Sequence, residues 1–254
     1  MATHPFLAPD FAVRWSQLVP AAVGPDITEA LARAQRNTVL IIDDLFSSRL
    51  LLAEIVRQIE DMEAHGVYGF VIHPRVGLPR DLGWMSERLL YFYGIAIEEA
   101  RRRNMTVVLY DEGMYPSGSS CGQVVAAHPE YQCRCLALLE LPAGSRPVLD
   151  ADANLVALVH RTNGQSVAVI DRPVDSVIRG LHYVGDGPAE DEPPAADILN
   201  PEAVAEFIRH VYDGFAAHFG QYFGTTIPAI FTDEPAPMGR CRERGVGPRQ
   251  VVPG

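Results

Sequence analysis

Four short apolar runs, each closed by polar or acidic residues, constrain this chain more than any other feature of it. They are Thr38-Val-Leu-Ile-Ile-Asp-Asp44, Tyr68-Gly-Phe-Val-Ile-His-Pro-Arg75, Met105-Thr-Val-Val-Leu-Tyr-Asp-Glu112 and Thr226-Ile-Pro-Ala-Ile-Phe-Thr-Asp-Glu234. Near-continuous apolar strands of this length suit a parallel sheet covered on both faces. Pro228 must fall at the start of its strand, because proline donates no ladder hydrogen bond. Between the runs lie amphipathic helices. Leu50 to Ala64 sets Leu51, Ile55, Ile59 and Met62 on one stripe, and Ser86 to Arg103 does the same with Leu89, Leu90, Tyr93, Ile97 and Ala100. Asn200-Pro201-Glu202 supplies an N-cap, a proline at the first helical position and an early acid, opening a helix to about Phe219. Strands alternating with helices through short connections specify an α/β architecture with right-handed crossovers.

The pattern changes after Tyr131. Cys133 to Leu141, Leu155 to His160 and Ser166 to Ile170 read as short strands between turn clusters, and a loop of low apolar content, Gly185 to Pro194, follows. The expected organisation is an N-terminal segment 1–37, a partial (β/α)8 TIM-type barrel over 38–131 and 196–238, and an inserted antiparallel β subdomain over 132–195. Residues 239–254, with no periodicity and a basic excess, read as a disordered tail or the product of an altered reading frame. About four βα units are present where a closed barrel needs eight. A partial barrel leaves an unpaired strand edge, through which self-association is expected.

Composition narrows the chemistry. None of the 21 basic residues is lysine. Without a lysine amine there is no Schiff base to substrate or pyridoxal phosphate and no P-loop lysine, and no cofactor is expected. A net charge of −11 offers no footprint for nucleic acid or an anionic membrane surface, so neither is an expected partner. No secretory signal and no apolar run long enough for a membrane span is visible, which predicts a cytoplasmic protein. Cys121, Cys133, Cys135 and Cys241 lack zinc-finger spacing and read as free thiols in reducing surroundings.

In parallel α/β barrels the catalytic groups stand at the C-terminal ends of strands. Here those ends offer Asp43 and Asp44, then His73 and Arg75, then Tyr110, Asp111 and Glu112, then Asp233 and Glu234. Asp43 and Asp44 read as capping or strand-end groups. Two Asp-Glu pairs on two strands fit glycoside hydrolysis, in which one carboxylic acid protonates the leaving oxygen and a second carboxylate activates water or attacks the sugar. Side chains alternate along a strand, so one member of each pair faces the barrel mouth. Arg75 can hold a substrate hydroxyl or orient a carboxylate by a bidentate contact, and His73 reads first as a hydrogen-bonded structural histidine and otherwise as a ligand for sugar or metal. Trp84 can serve as a stacking platform or anchor a helix start. Ser117 or Ser119, in the turn-rich loop after Glu112, can cap the helix that follows.

The strings Gly69-Phe-Val-Ile-His-Pro-Arg-Val-Gly-Leu78, Tyr110-Asp-Glu-Gly-Met-Tyr-Pro-Ser-Gly118 and Phe231-Thr-Asp-Glu-Pro235, with the β-rich insert between the last two, resemble the barrel start of α-L-rhamnosidase-type glycoside hydrolases of family 106. The resemblance covers about residues 38 to 237. It implies a carbohydrate substrate, an α-L-rhamnoside or similar glycoside, hydrolysed by inversion. Glu234 is then the general acid and Glu112 the other catalytic candidate, with His73, Arg75, Tyr110, Asp111, Trp84 and Asp233 around the substrate. Such enzymes are long, usually exported chains, so this one reads as the N-terminal part of such a domain, with the second carboxylate in the missing half and little or no turnover expected. Two other readings stand beside it: an inactive carbohydrate-binding fragment, and a metal-dependent barrel hydrolase using His73, Asp111 and Asp233. The last lacks any His-x-His or His-Glu-x-x-His spacing. The barrel reading further requires the third and fourth strands to run parallel, with Glu112 and Glu234 on one face.

Overall fold

The computed structural model describes residues 51–74, 78, 80, 82–174, 176–181, 192–237, 239–241 and 250–251. The strand expected at 38–44, with Asp43 and Asp44, and the side chain of Arg75 lie outside the described residues. The chain divides into two compact units, residues 1–113, 181–190 and 211–233, and residues 114–180, 191–210 and 234–254.

The first unit is built on a parallel sheet. Helix α1 (Leu51–Ala64) leads into strand β1 (Gly69–Ile72), helix α2 (Glu87–Arg102) and strand β2 (Thr106–Tyr110). β1 and β2 pair in parallel from Gly69 with Thr106 to Ile72 with Leu109. The apolar stripes fold as expected: Ile55, Ile59 and Met62 of α1 and Leu89, Leu90, Tyr93, Ile97 and Ala100 of α2 are buried. α2 starts where Ser86 accepts a hydrogen bond from the Leu89 N–H at 3.2 Å, and Arg101 and Arg102 sit in its last turn, opposite in sign to the helix C-terminal dipole. Arg103 then ties the two helices together, donating to Glu99 and to Glu60, each at 2.8 Å.

Tyr93 carries an anomaly within this core. Its ring stacks on Phe215, and its hydroxyl has no hydrogen-bond partner although the residue is 1 % exposed. Burial pushes the phenol far above its ordinary pKa. An unsatisfied buried hydroxyl costs about 1–3 kcal/mol. Tyr93→Phe is therefore expected to stabilise the protein by about 1 kcal/mol, read as a rise in the urea midpoint at unchanged slope; a loss of stability would mean that the hydroxyl is satisfied.

The second unit holds an antiparallel sheet. Strands β3 (Arg134–Leu141), β4 (Asn154–His160) and β5 (Ser166–Pro173) agree closely with the expected insert, and β5 pairs with both of the others. A short helix, α3 (Gln123–Ala127), precedes them, and strand β6 (Ser176–Val177) follows. Cys133, Cys135, Val174, Ile178 and Ala195 form a buried cluster.

Residues 201–219 are helical, as their N-terminal signals predict. Asn200 caps α4 (Pro201–Ile208) by accepting from the Glu202 N–H at 2.9 Å; a π-turn, Arg209–Asp213, and α5 (Gly214–Phe219) follow. In the first unit α5 packs on α2, and strand β7 (Ala229–Phe231), starting directly after Pro228, pairs in parallel with β2. The third and fourth expected strands do run parallel. The sheet order is β1-β2-β7, and no barrel is closed among the described residues. The stretch read as a disordered tail contributes two short strands, β8 (Arg240–Cys241) against β6 and β9 (Gln250–Val251) against β3. Pairings of two residues leave no periodicity for a sequence reading to detect. No helix among the described residues is long and apolar enough to cross a membrane.

Candidate functional site

The C-terminal ends of β1, β2 and β7 gather most of the expected residues of the first unit. At the end of β1 the His73 ring stacks on Tyr110, with centroids 4.0 Å apart and planes 13° from parallel. His73 Nδ1 lies 2.8 Å from the Pro74 carbonyl oxygen. A carbonyl only accepts, so Nδ1 carries the proton. Tyr110 is buried and also meets the Phe231 ring at 5.6 Å.

Asp111 occupies a different place from the one expected. It is 0 % exposed, and its Oδ2 accepts from the Tyr212 hydroxyl at 2.8 Å and from Thr232 Oγ1 at 2.7 Å. Its N–H donates to the Phe231 carbonyl at 3.1 Å, extending the β2–β7 pairing by one rung. Two hydroxyl donors on one oxygen suit an ionised carboxylate, which only accepts. The Tyr212 phenol is pushed up to about 12, by burial first and also by the carboxylate beside it. Asp111 therefore ties the end of β7 to the end of β2 and to Tyr212 of the π-turn.

Glu112 is also 0 % exposed, and its Oε1 accepts from the Gly113 N–H at 2.8 Å, so the carboxylate folds back on its own chain. In this conformation it does not reach solvent. Trp84 is 4 % exposed, edge-on to Phe215 and two residues before the cap of α2, which makes it a core aromatic at a helix start rather than a stacking platform. Asp233 is half-buried at the end of β7.

Glu234 belongs to the second unit, Glu112 and Asp233 to the first. Glu234 is exposed and has φ of +41°. Left-handed backbone is uncommon for a residue with a Cβ, and such outliers collect at functional sites. The Tyr115 hydroxyl donates to Glu234 Oε2 at 3.0 Å. Tyr115 is itself held by its carbonyl, which accepts from the Arg179 N–H at 2.8 Å. The serines of the loop after it do not cap α3, whose cap is Gly122: Ser119 Oγ accepts from the Ala196 N–H at 3.0 Å, and Ser120 donates to Gln123 Oε1 at 2.9 Å. Gly122 sits at φ +83° with Pro193 so close that a Cβ would fall 2.4 Å from it, so this turn requires glycine.

Two groups of residues escaped the sequence reading. Tyr212 and Thr232 are the donors to Asp111; Thr232 adjoins an acidic pair and could have been suspected, whereas the π-turn conceals Tyr212. In the second unit, buried Glu206 of α4 pairs with Arg209 and lies 2.8 Å from His210 Nε2 and 3.9 Å from His128 Nε2. Burial, then Arg209 and His128, hold the His210 imidazole below its usual pKa. Among the described residues no His, Cys, Asp and Glu side chains gather as a metal-ligand set, and no observation favours the metal-dependent reading built on His73, Asp111 and Asp233. Comparison of the chain with protein-family models, with curated proteins and with solved structures finds no match.

Proposed function

We propose that this chain is a glycoside hydrolase-like protein of the α-L-rhamnosidase type, acting on an α-linked sugar. Glu234 is its general acid. The observation that carries this reading is the state of Glu234: an exposed carboxylate, just past the end of a parallel strand, in left-handed backbone and held by a tyrosine hydroxyl. Catalytic groups of α/β barrels stand at such strand ends.

In the proposed reaction protonated Glu234 gives its proton to the glycosidic oxygen as the bond from that oxygen to the anomeric carbon breaks. Water, deprotonated by a second carboxylate, attacks the opposite face of the oxocarbenium-like sugar, so the product is inverted. The Tyr115 hydroxyl donates to the carboxylate that the departing proton leaves behind. With Asp111 and Glu112 fully buried, a second reading has an observation in its favour: a protein that binds the sugar without turning it over.

One experiment separates them. Purified chain is titrated with L-rhamnose by calorimetry and incubated with aryl α-L-rhamnosides, the product anomer being followed by proton NMR. Release of the inverted sugar supports the first reading and binding without release the second. Absence of both overturns the assignment to rhamnoside-type sugars.

A further inference from the structure

The antiparallel sheet of the second unit has the strand order β4-β5-β3-β9, so β4 pairs with β5 alone among the described residues. An edge strand offers a row of backbone donors and acceptors to any chain that can lie beside it, and proteins usually blunt such edges with lysine, proline or inward charge. β4 reads Asn154-Leu-Val-Ala-Leu-Val-His160, with none of these. Its one irregularity is a bulge between Leu155 and Ala157. Its side chains are uncovered on both faces of the sheet: Leu155, on the face of Ile170 and Ala137, is 43 % exposed, and Val159, on the face of Val167 and Glu140, is 53 % exposed.

The charges around the strand select its occupant. In a chain of net charge −11, most of the surface repels a second copy, but β4 carries no acidic residue and no basic one except His160 at its end. Exposed Asp150 and Asp152 precede it, and exposed His160 and Arg161 end it. Arg161 has a neighbour in its own chain, Glu140 at 3.7 Å, which is itself exposed. Two copies of β4 laid side by side in parallel bring like ends together, acid on acid. Laid antiparallel about a two-fold axis, they bring Asp152 of each copy to Arg161 of the other, and the contact is made twice. The axis passes near the middle of the strand, where each copy's bulge meets the other's. A generic straight strand matches neither the bulge nor the charges.

We propose that β4 is a self-association edge, at which two copies of this chain pair antiparallel and join their sheets into one eight-stranded sheet. Leu155 and Val159, uncovered in one copy, then gain cross-strand neighbours on both faces. The inference is independent of the glycosidase reading. A single strand edge buries less than a standard interface, which places the dimer among weak complexes.

Sedimentation velocity of the full chain from about 1 to 300 µM, a range that spans weak interfaces, tests it with Asp152→Arg and Arg161→Asp. Wild type is expected to dimerise as concentration rises. Each variant alone faces like charges twice and is expected to self-associate at least about tenfold more weakly. An equimolar mixture of the two variants restores opposite charges at both ends and is expected to form a heterodimer of wild-type strength. That recovery is something a merely structural effect of either substitution does not produce. A wild type that stays monomeric throughout, single variants that associate as wild type does, or a mixture that associates no better than its components would each overturn the proposal.

Discussion

Replacing Asp111 by alanine is expected to remove about 3–5 kcal/mol of stability, since two charge-assisted hydrogen bonds are each worth about 1.5–3 kcal/mol and both donors lose their acceptor. That is a large part of the roughly 5–15 kcal/mol that holds a typical domain folded. Because Asp111 is fully buried, water cannot replace it without opening the end of the sheet. Tyr212→Phe and Thr232→Val each remove one donor and leave the carboxylate its other partner, so each should cost less, and a double-mutant cycle between Asp111 and either residue should show strong coupling. The Tyr212 phenol supplies an optical check. Its pKa of about 12 is raised, so the neutral phenol favours the fold; that contribution is whole below about pH 10, the ordinary value, and is lost as pH climbs through 12. In Asp111→Asn the ionisation followed at alkaline pH should move down, but not to its ordinary value, because burial is the larger cause. Denaturant curves for Asp111→Ala that overlay those of wild type would show that the carboxylate is not what fastens β7 to β2.

The second large effect concerns the reaction. Glu234→Gln keeps the size of the side chain and removes the transferable proton. Positioned general acids contribute about 10²–10⁴-fold to rate, and the loss falls where the leaving group needs protonation. Under the hydrolytic reading, whatever turnover of an alkyl or methoxyphenyl α-L-rhamnoside the chain shows is therefore expected to drop by about that factor. A dinitrophenyl rhamnoside, whose leaving group departs as an anion, should react nearly as fast as with wild type, and L-rhamnose should bind as before. Equal slowing of both substrates, or loss of sugar binding, would place Glu234 in the framework of the site and not in proton transfer. Tyr115→Phe offers a milder companion, since it removes the hydroxyl on Oε2 and leaves the acid in place.

Much of the fold is legible in the chain because each element is announced by several agreeing signals. The β2 strand is apolar after Thr106 and almost wholly buried, as two-sided burial demands, whereas the equally apolar β7 is largely exposed; Ser86 and Asn200 cap the helices expected to start there. The antiparallel strands stand out through turn clusters at either end. The site is less legible. An acid after an apolar strand looks the same in sequence whether it faces solvent or the interior. The donors that draw Asp111 inside come from Thr232 and from Tyr212, more than a hundred residues downstream. Trp84 poses the same difficulty, since a tryptophan ahead of a helix serves sugar or core equally well until Phe215 is seen against its edge. The strand ends at 240–241 and 250–251 are too short to carry a pattern at all.

The π-turn at Arg209–Asp213 also bears on how this chain can vary. Ala203, Phe207, Val211, Phe215 and Phe219 recur at every fourth position, and all are buried. Along an unbroken α-helix each step of four overshoots a full turn by about 40°, so the last of these residues would lie about 160° around from the first. The wider π-turn takes back part of that rotation. Losing one residue from 209–213 is thus a change of phase as well as of length, turning the side chains on one flank by about 100° against those on the other. Phe215 and Phe219 would leave their places beside α2, and Tyr212 its place beside Asp111. Gaps in this stretch should be rarer among functional variants than substitutions at its exposed positions.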